Sequence, residues 1–285
     1  MMDTAASAEW NYALGHSAQE LARLSQQGQV FAAFTRQLFE QAGITLGMSV
    51  LDVGSGAGDS SFLASDLVGH HGRVVGVDRG DEAVACATTR AASAQIKNVE
   101  FIQGDPVDME FSRPFDAVVG RFVLMYYADP VDAVRKLARR LRPGGLMVFQ
   151  EFDMEYVRSL PAAPTFEHAA ELMKRTLRAS GTRIRLGSDL YSIFLAAGLP
   201  GPSLRMDILI GGGGAFPCYE ILAGTIESLL PAIERLGIAT APELRVATLA
   251  ERMRDEVTAQ KGIALSPALV GAWSRTSIED SCSGT

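Results

Sequence analysis

The feature that most constrains this chain is a short apolar run that leads directly into a loop of three closely spaced glycines. The run Val50–Val53 is followed by Gly54, Gly56 and Gly58, and a helix-like stretch begins near residue 60. Glycine lets a backbone approach a ligand closely, and the first turn of a helix offers free N–H groups. The pattern therefore predicts a strand, a ligand-binding loop and a helix. It departs from the G-x-G-x-x-G fingerprint of nicotinamide dinucleotides, because Asp59 stands where the third glycine is required.

Apolar runs of this kind recur and alternate with helix-like stretches. The five runs are residues 49–54, 73–78, 98–105, 115–120 and 145–152. Strands that are separated by helical crossovers form parallel sheets. Nearly continuous apolar character is typical of strands that helices cover on both faces. The sequence therefore predicts an α/β fold with a doubly wound, mostly parallel sheet.

The segments around this core are predicted to be helical caps. Residues 1–45 form an N-terminal lid, and the core, residues 46–285, carries cap insertions at about 153–186 and 216–262. Apolar residues at one-face spacing predict helices in these segments. Two further strands are predicted at 203–210 and 264–276, where the pattern suits a strand.

Charge and cysteine use narrow the class of protein. The chain has 26 Lys and Arg against 33 Asp and Glu, a net charge of −7 that disfavours nucleic acid as a partner. Three scattered cysteines and four histidines without HxxxH spacing predict neither a disulfide framework nor a metal site. No apolar run approaches the roughly 18 residues of a membrane span, so no membrane partner is predicted. Reduced cysteines without a secretory signal indicate a cytoplasmic protein.

The order of these motifs resembles the class I S-adenosylmethionine-dependent methyltransferase family, in its small-molecule group. Asp52 precedes the glycines, Asp78 ends the second strand, and Gly104-Asp105-Pro106 follows the third. The runs FDAVVGRFVLMYYADP and LRPGGLMVFQEF match the family's fourth strand and its turn into the fifth. The resemblance implies S-adenosylmethionine as cofactor and a seven-stranded sheet with its last strand antiparallel.

The resemblance also implies which residues bind the cofactor. Asp52 is expected to orient the methionine ammonium, Asp78 to bond both ribose hydroxyls, and Asp105 to lie near the adenine amino group. Each carboxylate also has a structural interpretation, as a strand-end cap or as a turn residue. The Arg121 side chain either pairs with Asp52 or faces the substrate. The full set is Tyr12, Asp52, Gly54, Ser55, Gly56, Gly58, Asp78, Arg79, Gly104, Asp105, Pro106, Arg121 and Phe122.

Methyl transfer is an in-line displacement that requires alignment and the exclusion of water, and a general base helps when the acceptor is a hydroxyl. The candidate bases are His16 in the lid, His168 in the second helical segment, and Glu151 and Asp153 at the end of the fifth strand. Residues 10–27 are predicted to form a mobile lid with Tyr12 and His16 facing the transferable methyl group. Tyr126 and Tyr127 either close over the sulfonium by cation–π contact or serve packing.

The predicted function is methyl transfer from S-adenosylmethionine to a small, hydrophobic metabolite, with oxygen favoured over nitrogen and nitrogen over carbon as acceptor atom. Two alternatives remain open, because a fold does not determine a reaction. One is a related protein that keeps the cofactor and catalyses another reaction, such as a cyclisation. The other is a non-catalytic cofactor-binding subunit. The expected partners are a small-molecule substrate and a second copy of the chain in a homodimer.

Overall fold

A computed structural model of the chain describes residues 18–277, with side chains from residue 28 onward. Tyr12 and His16 lie outside the described residues, so their predicted roles stay predictions. The strands in the described part are Ser49–Val53 (β1), Arg73–Asp78 (β2), Val99–Gln103 (β3), Phe115–Arg121 (β4), Leu141–Asp153 (β5), Arg158–Leu160 (β6), Ser203–Asp207 (β7), Ile210–Gly211 (β8), Ile263–Leu265 (β9) and Ala268–Arg275 (β10).

Seven of these strands form one mixed sheet in the order β3-β2-β1-β4-β5-β10-β7. The pairs within β3-β2-β1-β4-β5 are all parallel, whereas β10 runs antiparallel to both β5 and β7. This topology confirms the predicted α/β fold with a doubly wound sheet and an antiparallel last strand. The five strands predicted in the core are β1 to β5, in the predicted order along the chain.

The helices in the described part are Ala18–Ala42 (α1), Asp59–Val68 (α2), Asp81–Ser93 (α3), Pro130–Ala138 (α4), Pro164–Ala179 (α5), Leu186–Ala196 (α6), Cys218–Arg235 (α7), Ala241–Leu244 (α8) and Leu249–Ala259 (α9). Helices α5, α7 and α9 come from the two predicted cap insertions, and they pack against one another. In residues 18–277, the helices are all too short or too polar to cross a membrane. The cytoplasmic location stays a prediction from sequence.

Successive residues of each central strand pack into different layers of the molecule. In β1, Val50 belongs to an apolar cluster with residues of α1 and α2, whereas Leu51 belongs to a cluster with residues of α4 and α6. In β4, Val119 and Val118 divide in the same way. Since side chains alternate across a strand, both faces of the sheet are buried. This burial explains why the strand sequences are continuously apolar.

Helix α1 belongs to the layer that covers the sheet, at least from Phe31 onward. Phe31, Leu38 and Phe39 have at most 1% of their surface exposed, and Leu38 lies against Gly271 of β10. These side chains contribute to the core of the protein. The prediction of a mobile lid therefore concerns the residues before this part of α1, and for those it stays a prediction.

The segment predicted as a single strand at 264–276 is two strands that belong to different sheets. Strand β9 pairs with β6 and β8 in a small three-stranded sheet, and β10 begins at Ala268 in the large sheet. The break lies at Ser266 and Pro267, because proline has no N–H to donate to a ladder. The N–H of Ser266 donates to the Leu209 carbonyl, and the Leu209 N–H donates to the Ser266 hydroxyl. These two hydrogen bonds join the β7–β8 connection to the β9–β10 connection, where the chain passes between the large and the small sheet.

Candidate active site

The glycine loop predicted from sequence connects β1 to α2 and lies against the end of β2. The N–H groups of Gly54 and Ser55 both donate to the Val77 carbonyl, at 2.8 and 3.0 Å. Gly54 and Gly56 have φ angles of +66° and +52°, a region that L side chains adopt at a cost. A Cβ on Gly54 would lie 2.4 Å from Cγ2 of Val123, whereas a Cβ on Gly56 would meet nothing within 4 Å. The loop therefore packs on the Val123 segment through Gly54 and leaves open space at Gly56.

The Asp78 carboxylate joins this loop to the end of β2. Its Oδ2 accepts the Gly56 N–H at 2.8 Å, and its Oδ1 accepts the Gly80 N–H at 2.9 Å. A carboxylate has about four lone-pair positions, so each oxygen keeps a further acceptor position. Asp78 also lines the cavity described below. Two adjacent acceptors on a fixed carboxylate fit a pair of neighbouring hydroxyl groups.

Asp52 lies beneath the loop and holds the start of α2. Its side chain is fully buried, and its Oδ2 accepts the hydroxyl groups of Ser60 and Ser61 at 2.7 and 2.5 Å. Within the described residues, its Oδ1 has no hydrogen-bond partner. Burial raises the pKa of Asp52 to about 6, although the two serines oppose the shift. The Oδ1 of Asp52 can therefore accept a hydrogen bond from a cationic group of a ligand. The bonds from Ser60 and Ser61 also give Asp52 a structural role at the start of α2.

Arg79, Asp105 and Tyr127 form a polar cluster at the next strand ends. Arg79 forms an ion pair with Asp105 Oδ2, and the Tyr127 hydroxyl donates to Asp105 Oδ1 at 2.9 Å. The Arg79 guanidinium also lies 5.2 Å from the centre of the Tyr127 ring. Burial and the Asp105 charge raise the pKa of Tyr127, so this hydroxyl stays protonated. Gly104, Pro106, Arg79 and Tyr127 line the cavity, and Asp105 lies behind them.

Arg121 ends β4 and brings a positive charge to the cavity wall. Burial lowers the pKa of Arg121, and the charges of Asp59 and Asp52 oppose the shift. Its Nη1 donates to the Thr35 hydroxyl at 3.5 Å, and Thr35 donates to Gln150 at 2.7 Å. The charge is therefore fixed between the glycine loop and α1, near the buried carboxylate.

One cavity of about 220 Å³ joins these polar groups to an apolar compartment beneath the cap. The Phe122 and Phe152 rings are stacked, with centres 3.8 Å apart and planes at 7°, and Phe31 meets both edge-on. The apolar side chains of the lining include Phe31, Phe122, Val123, Met125, Phe152, Met154, Val157, Phe166, Met173, Leu177, Ile221, Leu222 and Leu265. The cavity thus has a polar end at the strand termini and an apolar end with a flat aromatic wall.

The candidate bases are not part of the described cavity lining. His168 lies on the exposed side of α5, opposite the face on which Phe166 and Met173 line the cavity. Glu151 is fully buried, and Asp153 is 2% exposed and bonded to Ser188. Among the described residues, the lining contains no histidine and no glutamate. The structure therefore does not bring His168 or Glu151 to the place where a base is needed.

Most residues of the apolar compartment carry no distinctive sequence signal. Phe166, Met173 and Leu177 line the cavity from α5, and Ile221 and Leu222 from α7. Their helical spacing is the one that any core-facing helix shows. Asp59 also lines the cavity and forms a 2.8 Å ion pair with Arg90, although the sequence suggested only a broken glycine fingerprint at that position.

Gly28 offers a test of how closely α1 approaches this site. A Cβ at Gly28 would lie 3.0 Å from the Asp59 carboxylate and 3.2 Å from Arg121 Nη2. Gly28→Ala should favour the helix by about 1 kcal/mol but displace these two side chains. We expect the affinity for the ligand of the polar end to fall about tenfold, with thermal stability maintained. Gln29→Ala, at an exposed position of the same helix, is the control, and equal affinities of the two variants would contradict this packing.

Comparisons with known proteins agree with this geometry. A family model described as a methyltransferase domain matches residues 44–198, more than half of the chain. The Arabidopsis thaliana 2-phytyl-1,4-beta-naphthoquinone methyltransferase is 36% identical over 116 residues, which cover 39% of this chain and 44% of the relative. A ubiquinone/menaquinone biosynthesis C-methyltransferase of Pseudomonas fluorescens is 33% identical over 128 residues, 44% of this chain and 50% of the relative.

The chain thus spans about half the length of the curated relatives it matches. Among solved structures, the YcgJ protein from Bacillus subtilis has a TM-score of 0.53 and 21% identity, over 85% of this chain and 99% of that chain. At this identity the similarity supports the fold alone.

Proposed function

Because the chain belongs to the methyltransferase domain family, we propose that it transfers a methyl group from S-adenosylmethionine to a small, flat and apolar acceptor. The observation that carries this proposal is the single cavity that joins the Asp78 end to the stacked rings of Phe122 and Phe152. Ligands of open α/β sheets bind outside the carboxyl ends of the strands, which is where this cavity lies. Both substrates of a transfer reaction can then meet in one cavity.

The polar end of the cavity fits the cofactor group by group. We assign the two ribose hydroxyls to the Asp78 oxygens, which belong to the lining, and the α-ammonium group to the negative charge of Asp52, which lies buried beneath the loop and outside the lining. The positive charge of Arg121 complements the cofactor's carboxylate. Gly56, which has no side chain, leaves room for the cofactor to approach the backbone of the loop. When bound, the cofactor supplies an electrophilic methyl group on a positively charged sulfur.

We propose carbon as the acceptor atom, in place of the oxygen that the sequence analysis ranked first. Relatives are named as methyltransferases of a naphthoquinone and as C-methyltransferases, and these names do not favour oxygen. The described lining offers no histidine or glutamate as a base. A ring carbon of a phenolate displaces the methyl group from sulfur, which leaves as S-adenosylhomocysteine. The neutral dienone that forms returns to an aromatic phenol when its ring proton exchanges onto oxygen, after it has left the apolar compartment for solvent water. Such a reaction depends on alignment, which is worth about 7–11 kcal/mol, more than on a strong base.

The aromatic wall supports a flat acceptor. A planar ring that stacks on the outer face of this Phe122–Phe152 pair keeps its own other face free, and a ring carbon attacks the methyl group through its face. Met125, Met154 and Leu265 complete an apolar surround that keeps water away from the reacting groups.

The test uses S-adenosylmethionine that carries ¹³C in its methyl group, with a reduced naphthoquinone, a simple phenol and an aliphatic amine as acceptors. We expect the label on a ring carbon of the reduced naphthoquinone, as read by NMR of the product. Label on oxygen or nitrogen would overturn the choice of carbon. Cofactor binding without transfer to any acceptor would favour a cyclase-like reaction or a non-catalytic subunit.

The role of Asp52 predicts how cofactor affinity depends on pH. Its pKa is raised to about 6, so the free protein holds the proton below that pH and the carboxylate above it. The α-ammonium stays charged below about pH 7.7 and binds the carboxylate form. Affinity should therefore rise about tenfold from pH 5 to pH 7. Titrations at several pH values measure this, and Asp52→Asn should be weaker and independent of pH. A wild-type affinity that falls as pH rises would contradict the role.

A further inference from the structure

Glu151 occupies a fully buried position near the end of β5. Its Oε1 accepts the N–H groups of Val123 and Leu124, at 2.9 and 2.7 Å. Within the described residues, its Oε2 has no hydrogen-bond partner. Burial raises the pKa of Glu151 to about 8, against the effect of the backbone N–H groups. Burying a carboxyl group costs free energy, and its two bonds to the backbone offset part of that cost.

The segment that Glu151 holds is the wall shared by both halves of the cavity. Phe122, Val123, Met125 and Tyr126 follow β4 in a tight turn, and all four line the cavity. Phe122 has a φ angle of +56°, which is rare and strained for a residue with a large side chain. Such a conformation persists when the surrounding structure determines it. Here the Phe122 N–H donates to the Gln150 carbonyl at 2.8 Å, next to the Glu151 bonds.

The same segment also sets the position of the glycine loop. Val123 fills the space that a side chain at Gly54 would occupy, and its N–H is one of the two groups held by Glu151. Phe122 stacks on Phe152, the residue that follows Glu151 in β5. A shift of residues 123–124 would therefore move the cofactor loop on one side and the aromatic wall on the other.

We infer that Glu151 is a positioning residue, which holds the 122–126 turn so that the cofactor loop and the acceptor wall face each other. The inference rests on the proposed function, and it replaces the role of general base considered from sequence. A base must come within about 2.6–3.2 Å of the proton that it removes. Glu151 lies behind the lining, with its Oε1 already engaged by two backbone groups.

Two substitutions separate positioning from catalysis. Glu151→Gln keeps an oxygen that accepts both N–H groups, so methyl transfer and cofactor affinity should stay within about threefold of wild type. Glu151→Leu removes the acceptor and leaves two buried N–H groups unpaired. For this variant we expect hydrogen exchange of the Val123 and Leu124 amides to accelerate at least tenfold, and the Kd for S-adenosylhomocysteine to rise at least tenfold.

The control is Asp153→Asn, which alters another buried carboxyl group of the same strand. The Asp153 carboxyl group accepts hydrogen bonds from the Glu155 N–H and the Ser188 hydroxyl. This variant should leave the exchange of the Val123 and Leu124 amides unchanged.

Exchange is measured on the ligand-free protein, so it stays informative even if wild type transfers no methyl group to any acceptor. A loss of turnover above 100-fold in Glu151→Gln, with normal exchange and normal cofactor affinity, would instead make Glu151 a base. Unchanged exchange in Glu151→Leu would also overturn the inference, and if that variant does not fold, the Glu151→Gln result decides.

Discussion

Replacing Asp78 with alanine should weaken the binding of S-adenosylmethionine at least about 100-fold. In the proposed binding mode the carboxylate accepts two ribose hydroxyls, and each hydrogen bond to a charged acceptor contributes roughly 1.5–3 kcal/mol. Their joint loss amounts to about 3–6 kcal/mol, and about 2.8 kcal/mol already corresponds to 100-fold. Asp78 also holds the N–H groups of Gly56 and Gly80, so the loop itself loosens when the carboxylate is removed. Equilibrium dialysis with labelled cofactor measures the change.

Two further variants control for general effects of the substitution. Asp78→Asn keeps one acceptor oxygen and should fall between wild type and the alanine variant. Asp81→Ala removes an exposed carboxylate at the start of α3 and should bind the cofactor normally. If folded Asp78→Ala loses less than about fivefold, which is near 1 kcal/mol, then Asp78 does not bind the ribose.

Gly54→Ala should be among the most damaging single substitutions in the loop. Its Cβ would lie 2.4 Å from Val123 Cγ2, and its φ of +66° is costly for alanine. The left-handed conformation costs about 1–2 kcal/mol, and forcing a methyl group into a packed site about 1–3 kcal/mol. We therefore expect the free energy of unfolding to fall by about 2–5 kcal/mol, measured by urea denaturation. Cofactor binding should fall with it, because the Val123 segment and the loop are forced apart.

Gly56→Ala is the matched control, since it imposes the same backbone cost without the clash. Its φ is +52°, and its Cβ would meet no atom within 4 Å. The variant should lose about 1–2 kcal/mol of stability. Because Gly56 lines the cavity, its methyl group should weaken the cofactor more than it weakens the fold. Equal losses of stability in the two variants would show that Val123 does not pack on Gly54 as described.

The polar end of the site could be predicted from sequence because its residues follow strands that are themselves recognisable. Asp78 ends β2 and Gly104 directly follows β3, and parallel strands bring their carboxyl ends to one edge. The spacing of glycines around Gly56 identifies the loop that follows β1, the strand next to β2. The local sequence pattern and the order of the strands indicate the same edge of the sheet, so a few residues are enough to predict this end of the site.

The apolar end could not be predicted, because its members are distant in sequence and ordinary in pattern. Phe122 and Phe152 meet only when β4 lies beside β5, and Met173 reaches them from a separate cap helix. The positions of the candidate bases could not be predicted for the same reason. His168 and Glu151 are polar residues at or after the fifth strand in sequence, but the rotation of α5 and the pleat of β5 direct their side chains away from the cavity.

An isothermal titration of the chain with S-adenosylhomocysteine, followed by the same titration with NAD⁺, decides whether the cavity binds the proposed cofactor. We expect one site per chain with micromolar affinity for S-adenosylhomocysteine, because Asp78 presents acceptors and Gly56 leaves open space that match it. We expect no binding of NAD⁺, since Asp59 replaces the glycine that its fingerprint requires. A flat titration of folded protein with S-adenosylhomocysteine, together with measurable binding of NAD⁺, would contradict the assignment of the cavity.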